Sequence, residues 1–192
     1  MPVRLVLASA SPRRAELLRA AQIDFDVVVA NIDESVRGRE HPEEHARRLA
    51  RAKAMDVLRR VAEERPVLAA DTIVAVGGEI LGKPVDENDA RRMLRMLSGR
   101  AHDVVTAVCL AGRAHGLLIE HELTTVEFGP LSDAEIAWYA ASGEPMDKAG
   151  GYAIQGLASR FVNRISGSYT NVVGLPVALV YRLCKRAGLL VS

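Results

Sequence analysis

The stretch VLAADTIVAVGGEILGKP, residues 67–84, decides how the rest of the chain is read. Residues 67–76 form a β run of Val, Ile, Leu and Ala with Asp71 and Thr72 inside it. Asp is depleted in strand interiors and is almost never buried without a partner. A carboxylate there implies a cation, a metal or a chemical role. Gly77-Gly78 supplies the positive φ of a tight hairpin, and the chain returns through residues 79–81 to Gly82-Lys83-Pro84. Lys83 therefore comes back near the end of the strand that carries Asp71. Either residue alone reads as a solvated surface group; together they point to a site. Residues 77–83 also fit G-x-x-x-x-G-K, the phosphate loop of many nucleotidases. Pro84 stands where that loop needs a magnesium-binding Ser or Thr, and residues 79–81 read as strand, so we reject the motif.

Toward the N-terminus, residues 3–7 read as a short strand. Ser11 then suits an N-cap and Pro12 the first helical position. Arg13 and Arg14 fall in the first turn, where the helix dipole is positive and cations are disfavoured. Free N–H groups, Ser9, Ser11 and two guanidiniums at one helix start favour an anion site. Residues 25–29 form a second strand, followed by an acidic loop, NIDES, at 31–35. A helix over residues 43–62 carries an apolar stripe of Ala46, Leu49, Ala50, Val57 and Val61. Lys53 falls on that stripe, so its ammonium either meets an interior anion or snorkels out. HPEEH at 41–45 matches the H-x-x-E-H zinc signature, but Pro-Glu-Glu is better read as the first turn of this helix.

Beyond the central stretch, residues 86–97 read as a helix capped by Asp86. Residues 103–111 and 117–128 read as adjacent antiparallel strands, and 132–140 as a short helix. Residues 143–156, GEPMDKAGGYAIQG, are glycine-rich and polar, as functional loops often are. A strand at 161–165 and a turn at 171–174 follow. Pro176 opens a last helix with Val177, Val180, Tyr181 and Cys184 inward. The alternation implies an α/β chain with a mixed sheet, antiparallel in its middle.

The 192 residues are 49% hydrophobic and 26% charged, with a net charge of +1. No global field draws the chain to nucleic acid or membrane, and no run is long enough to span a bilayer. Aromatic residues make up only 4%, which disfavours base-stacking platforms. Cys109 and Cys184 lack C-x-x-C spacing, which disfavours a disulfide framework or thiolate zinc site and suits a reducing cytoplasm.

Five segments, in order, resemble the Maf family of nucleotide pyrophosphatases: LASASPRRAELL at 7–18, ADTIVAVGGEILGKP at 70–84, LSGRAHDVVTAV at 97–108, DKAGGYAIQG at 147–156 and GSYTNVVGLP at 167–176. The resemblance covers nearly the whole chain and implies a single domain over residues 1–192. It implies an elongated, two-lobed fold with a mixed twisted sheet, flanking helices and a central cleft, related to inosine triphosphate pyrophosphatases. It implies hydrolysis of a nucleoside triphosphate to the monophosphate and pyrophosphate, in a house-cleaning role, with Mg2+ or Mn2+ and as a homodimer. Carried over by position, Asp71, Glu34, Lys53 and Lys83 would be catalytic. Glu34 and Asp71 would also be the metal ligands, and either could serve as base, with Asp71 favoured. Ser9, Arg13, Arg14, Thr72 and Gln155 would bind substrate. Gln155, in Ile-Gln-Gly, resembles the branch acting on dTTP, UTP and modified pyrimidine nucleotides, where a Glu would resemble the 7-methyl-GTP branch. A non-catalytic nucleotide-binding regulator of septum formation or cell division is the alternative class, and a phosphatase releasing single phosphates is another.

Overall fold

The computed structural model describes residues 4–38, 40–61 and 65–189. Strands β1 (Leu5–Leu7), β2 (Phe25–Val27), β3 (Val67–Val76), β4 (Glu79–Leu81), β5 (Ala101–Gly112), β6 (Gly116–Phe128) and β7 (Val162–Ser166) make one open sheet. Its order is β2-β1-β3-β5-β6-β7, with β4 added beside β3. β1 runs parallel to both β2 and β3, and every other pairing is antiparallel. The helices are α1 (Pro12–Ala20), α2 (Pro42–Leu58), α3 (Glu87–Leu97), α4 (Asp133–Ala141), α5 (Tyr169–Val173) and α6 (Val177–Arg186).

The pairing of β3 creates the cleft. One edge of β3 is matched to β5 over its length, from Val67 to Ala75. The other edge is shared: β1 pairs at Val67 and Leu68, and β4 pairs only at Val74, Ala75 and Val76. Ala69 to Ile73, with Asp71 at the centre, therefore lie on an edge that neither neighbour covers. The hairpin into β4 is tight because Gly77 and Gly78 take φ values of 60° and 84°.

Helices cover both faces. On one face α2 lies on β3 and β5 through Ala46, Ala50 and Ala54 against Ala69, Ala107 and Ala111. Small side chains on both sides let the helix come close, as larger residues would not. On the other face α1 and α6 pack Leu18, Leu179 and Leu183 onto Leu68, Val108 and Leu110. A third cluster joins α3, α4, β4 and the segment after α4, around Leu94, Phe128, Tyr139 and Phe161.

Several element ends differ from the sequence reading. α2 stops at Leu58, and Ala62, like Val3, lies outside the described residues. Residues 171–174 were expected as a turn, yet α5 is helical from Tyr169, with Ser168 accepting the Asn171 N–H at 3.3 Å. Tyr181 was expected inward on α6 but is 46% exposed. Leu179 and Leu183 take the buried face with Val180 and Cys184. The glycine-rich segment folds into short 3-10 turns at Glu144–Asp147 and Ala149–Gly151. Gly150 sits there at φ 70°, and a Cβ would strike Val74 at 2.8 Å, so glycine lets this segment close onto β3. Among the described residues, no helix is long and apolar enough to cross a membrane.

Candidate active site

Strand alternation sends Asp71 to the α2 face of β3 and Thr72 to the opposite face. On the first face, Lys53 Nζ donates to Asp71 Oδ1 at 2.6 Å and lies 2.8 Å from Glu34 Oε1. The Lys53 and Asp71 side chains are 10% and 8% exposed, whereas Glu34 is 49% exposed. One buried ammonium is thus shared by a buried carboxylate and an open one. Partial burial pushes the Glu34 carboxyl up. The hydrogen bond from Lys53 and the charges of Lys53, Lys83 and Arg14 outweigh it, and hold the group below the usual carboxylate range.

On the second face, Arg14 is committed to the fold. Its Nε donates to the Gly174 carbonyl at 2.8 Å, and its terminal nitrogens donate to Ser9 Oγ at 3.2 Å and Thr72 Oγ1 at 3.1 Å. Burial lowers its pKa, Asp71 and Glu34 raise it, and Arg13 adds to the lowering; the guanidinium remains charged throughout the physiological range. The two arginines expected at an anion site sit differently: Arg14 bridges α1, β3 and the end of α5, while Arg13 is half-buried with Asp147 Oδ2 at 3.4 Å. Ser11 is the N-cap of α1 without a side-chain capping bond; its N–H donates to Ser9 Oγ at 3.2 Å.

These groups meet in a cleft of about 580 Å3, and every site residue expected from the sequence lines it. Lys83 is exposed at the end of β4, where the Gly82 carbonyl accepts from Gly150 N–H at 3.0 Å. That bond ties the glycine-rich segment, and with it Gln155, to the same wall. His45, Asp147, Lys148 and Tyr152 also line the cleft and had not been singled out as site residues. His45 belonged to the H-x-x-E-H match; it is 3% exposed and pairs through Nδ1 with Glu40 at 2.8 Å, while His41 is exposed at the N-cap of α2. Asp147 also pairs with Lys148. The one available signal for that pair was its position, two charges directly before the glycines of an otherwise polar loop. Tyr152 OH meets His102 Nε2 at 2.8 Å, and burial pushes His102 down to about 4, so the imidazole is neutral near pH 7.

Residues 4–187 match the family model described as Maf-like protein. The chain belongs to the Maf family. Among curated relatives, the dTTP/UTP pyrophosphatase of Koribacter versatilis (strain Ellin345) is 53% identical over 189 residues, 97% of this chain and 95% of that protein. The dTTP/UTP pyrophosphatase of Geobacter sulfurreducens is 54% identical over 188 residues, 97% of this chain and 98% of that protein. Among solved structures, the Staphylococcus aureus Ham1 protein superposes with a TM-score of 0.55 at 14% identity, covering 95% of this chain and 98% of that one. That likeness concerns the fold: the same open mixed sheet with helices on its faces.

Proposed function

We propose that the cleft around Asp71 hydrolyses dTTP and UTP to the nucleoside monophosphate and pyrophosphate. The chain is a nucleoside triphosphate pyrophosphatase acting on dTTP- and UTP-type substrates, like the Maf relatives that match it nearly end to end. The observation that carries the site assignment is the buried Lys53 ammonium between Asp71 and Glu34, on a strand edge ringed by Arg13, Arg14 and Lys83.

A triphosphate brings several negative charges that need donors and cations. Arg13 can exchange Asp147 for a phosphate oxygen, and Lys83 meets the same chain as a point charge. Arg14, held through Ser9, Thr72 and Gly174, lines the cleft as a fixed positive charge. Lys53 engages Asp71 through Oδ1, which leaves Oδ2 to take the proton of the attacking water. Hydrolysis of the α–β anhydride releases pyrophosphate, whose added charge falls beside Lys83 and Arg13.

The carboxylates also fit a divalent ion. Among the described residues no group of three or more His, Cys, Asp or Glu forms a protein-only cage. Magnesium commonly takes one or two carboxylates and leaves the remaining positions to phosphate and water. Glu34 and Asp71 would hold Mg2+ or Mn2+, which supplies charge neutralisation at the phosphates. A homodimer is part of this reading, on the family resemblance, and a cytoplasmic location rests on the two buried free thiols. The test is product analysis over dTTP, UTP, ATP and GTP, with metal and in excess chelator. Pyrophosphate, from dTTP and UTP first and only with metal, is expected. Orthophosphate as sole product, no product, or undiminished pyrophosphate in chelator would each overturn the part of the reading concerned.

Gln155 is the base reader in this proposal. Its amide can pair at once with a carbonyl and the ring N–H of uracil or thymine. Glu would set a negative charge against that carbonyl oxygen. Gln155→Glu should lower kcat/KM for dTTP and UTP by about 10²-fold or more, since a hydrogen-bonding site rejects a mismatched edge strongly. Gln155 is exposed, so the melting temperature should scarcely move. Equal losses for all four nucleotides would remove the base-reading role.

A further inference from the structure

Gln155 stands in a tight turn that is held from outside. The Gly156 N–H donates to the Ala153 carbonyl at 3.0 Å and closes the turn. Tyr139, fully buried on α4, accepts the Ala153 N–H on its hydroxyl oxygen at 3.3 Å and donates to Glu144 Oε1 at 2.8 Å. Glu144 then accepts the Leu157 N–H at 3.0 Å and the Ala158 N–H at 3.4 Å. A single hydroxyl–carboxylate couple thus grips the backbone on both sides of Gln155. Burial, then the bond to Glu144, drives the Tyr139 hydroxyl up, so it stays a donor at every working pH. Gly156 fits the same device. A Cβ there would lie 2.4 Å from Glu144 Oε2. A methyl at this position would push the Glu144 carboxylate away from the Leu157 and Ala158 N–H groups it holds.

We propose that the Tyr139–Glu144 couple sets base selectivity by fixing where the Gln155 amide meets the pyrimidine edge. The inference rests on the reading of Gln155 as base reader. Neither Tyr139 nor Glu144 lines the cleft, so each acts through the turn as a positioning residue. A two-point amide pairing depends on distance and angle together. Displacement of such a group by an ångström costs on the order of 10²-fold in rate.

The experiment compares kcat and KM for dTTP, UTP, ATP and GTP in the wild type, Tyr139→Phe, Glu144→Ala, Glu144→Gln and Gly156→Ala, with thermal unfolding on each. Tyr139→Phe keeps the ring in the core and removes only the hydroxyl. Its dTTP-to-ATP ratio of kcat/KM should fall by about 10–10²-fold, chiefly through the KM for dTTP. Glu144→Gln, which still offers an acceptor, should lose less than Glu144→Ala. Gly156→Ala should lose selectivity alone but add little to Glu144→Ala, because the atoms its methyl would strike are gone. If folded Tyr139→Phe and Gly156→Ala keep the wild-type ratio, or if all four nucleotides fall equally, the couple only supports the fold and the inference is overturned. Should Tyr139→Phe not fold, Gly156→Ala alone and on Glu144→Ala decides. A wild type without pyrimidine preference would overturn the base-reading role itself, and this inference with it.

Discussion

Asp71→Asn is expected to leave a folded protein that has lost most of its turnover, with kcat down about 10²–10⁴-fold, the usual weight of a general base. The amide oxygen can still accept from Lys53 at the position of Oδ1, so the contact between α2 and β3 survives in shape. What disappears is the second oxygen with its charge. An amide nitrogen cannot take a proton from water at neutral pH and is a poor ligand for a hard cation. Lys53 keeps Glu34 as a charged partner, which limits the structural cost. Circular dichroism and pyrophosphate release measured on the same preparation decide the matter. A native spectrum with wild-type kcat would make Asp71 a structural residue and move the chemistry elsewhere in the cleft.

Asp71 was legible because it breaks a local rule: an acid within a ten-residue apolar strand needs a reason. Lys53 was legible likewise, as a cation on an apolar stripe. Both signals are short-range, and each names a missing partner without saying which. That Lys53 would meet both Glu34 and Asp71 depends on how closely α2 can approach the sheet. This is a property of the facing alanines on elements far apart in sequence. Arg13 and Arg14 looked equivalent at the start of α1, since the helix dipole acts on both. They part company because Arg14 turns inward to the Gly174 carbonyl, 160 residues away in sequence. No local pattern could reveal that.

The glycine-rich segment was the least readable. Its 3-10 turns are too short for periodicity, and its order comes from single contacts outside any repeat: the Glu144 carboxylate on Leu157 and Ala158, the Tyr139 hydroxyl on Ala153, and the Gly82 backbone carbonyl on the Gly150 N–H. α5 was missed for a related reason. Five residues cannot show a helical face, and its cap, Ser168, lies before the stretch that looked like a turn. The cleft itself is a consequence of topology. It exists because β1 and β4 share one edge of β3 without meeting, and strand pairing of that kind is fixed by the whole sheet.

Lys53→Met should cost stability and turnover together, and a second substitution should separate the two effects. Met keeps the stem on the α2 stripe but removes the ammonium. Asp71, 8% exposed in its side chain, then lacks its closest cation. Removing one member of a buried ion pair typically destabilises by about 3–5 kcal/mol, because the remaining charge is stranded. Glu34 adds little to this loss, since at 49% exposure water can replace its partner. Turnover should fall as well, because nothing then orients Asp71 through Oδ1. Adding Asp71→Asn removes the stranded charge. The double variant should therefore recover most of the stability lost in Lys53→Met while remaining as inactive as Asp71→Asn. Residues in direct contact are expected to couple in this way, and a thermodynamic cycle reads the coupling directly. If the stability losses simply add, the 2.6 Å contact carries no net energy and Lys53 is held by its apolar stem. If the double variant regains turnover, Asp71 is not the base.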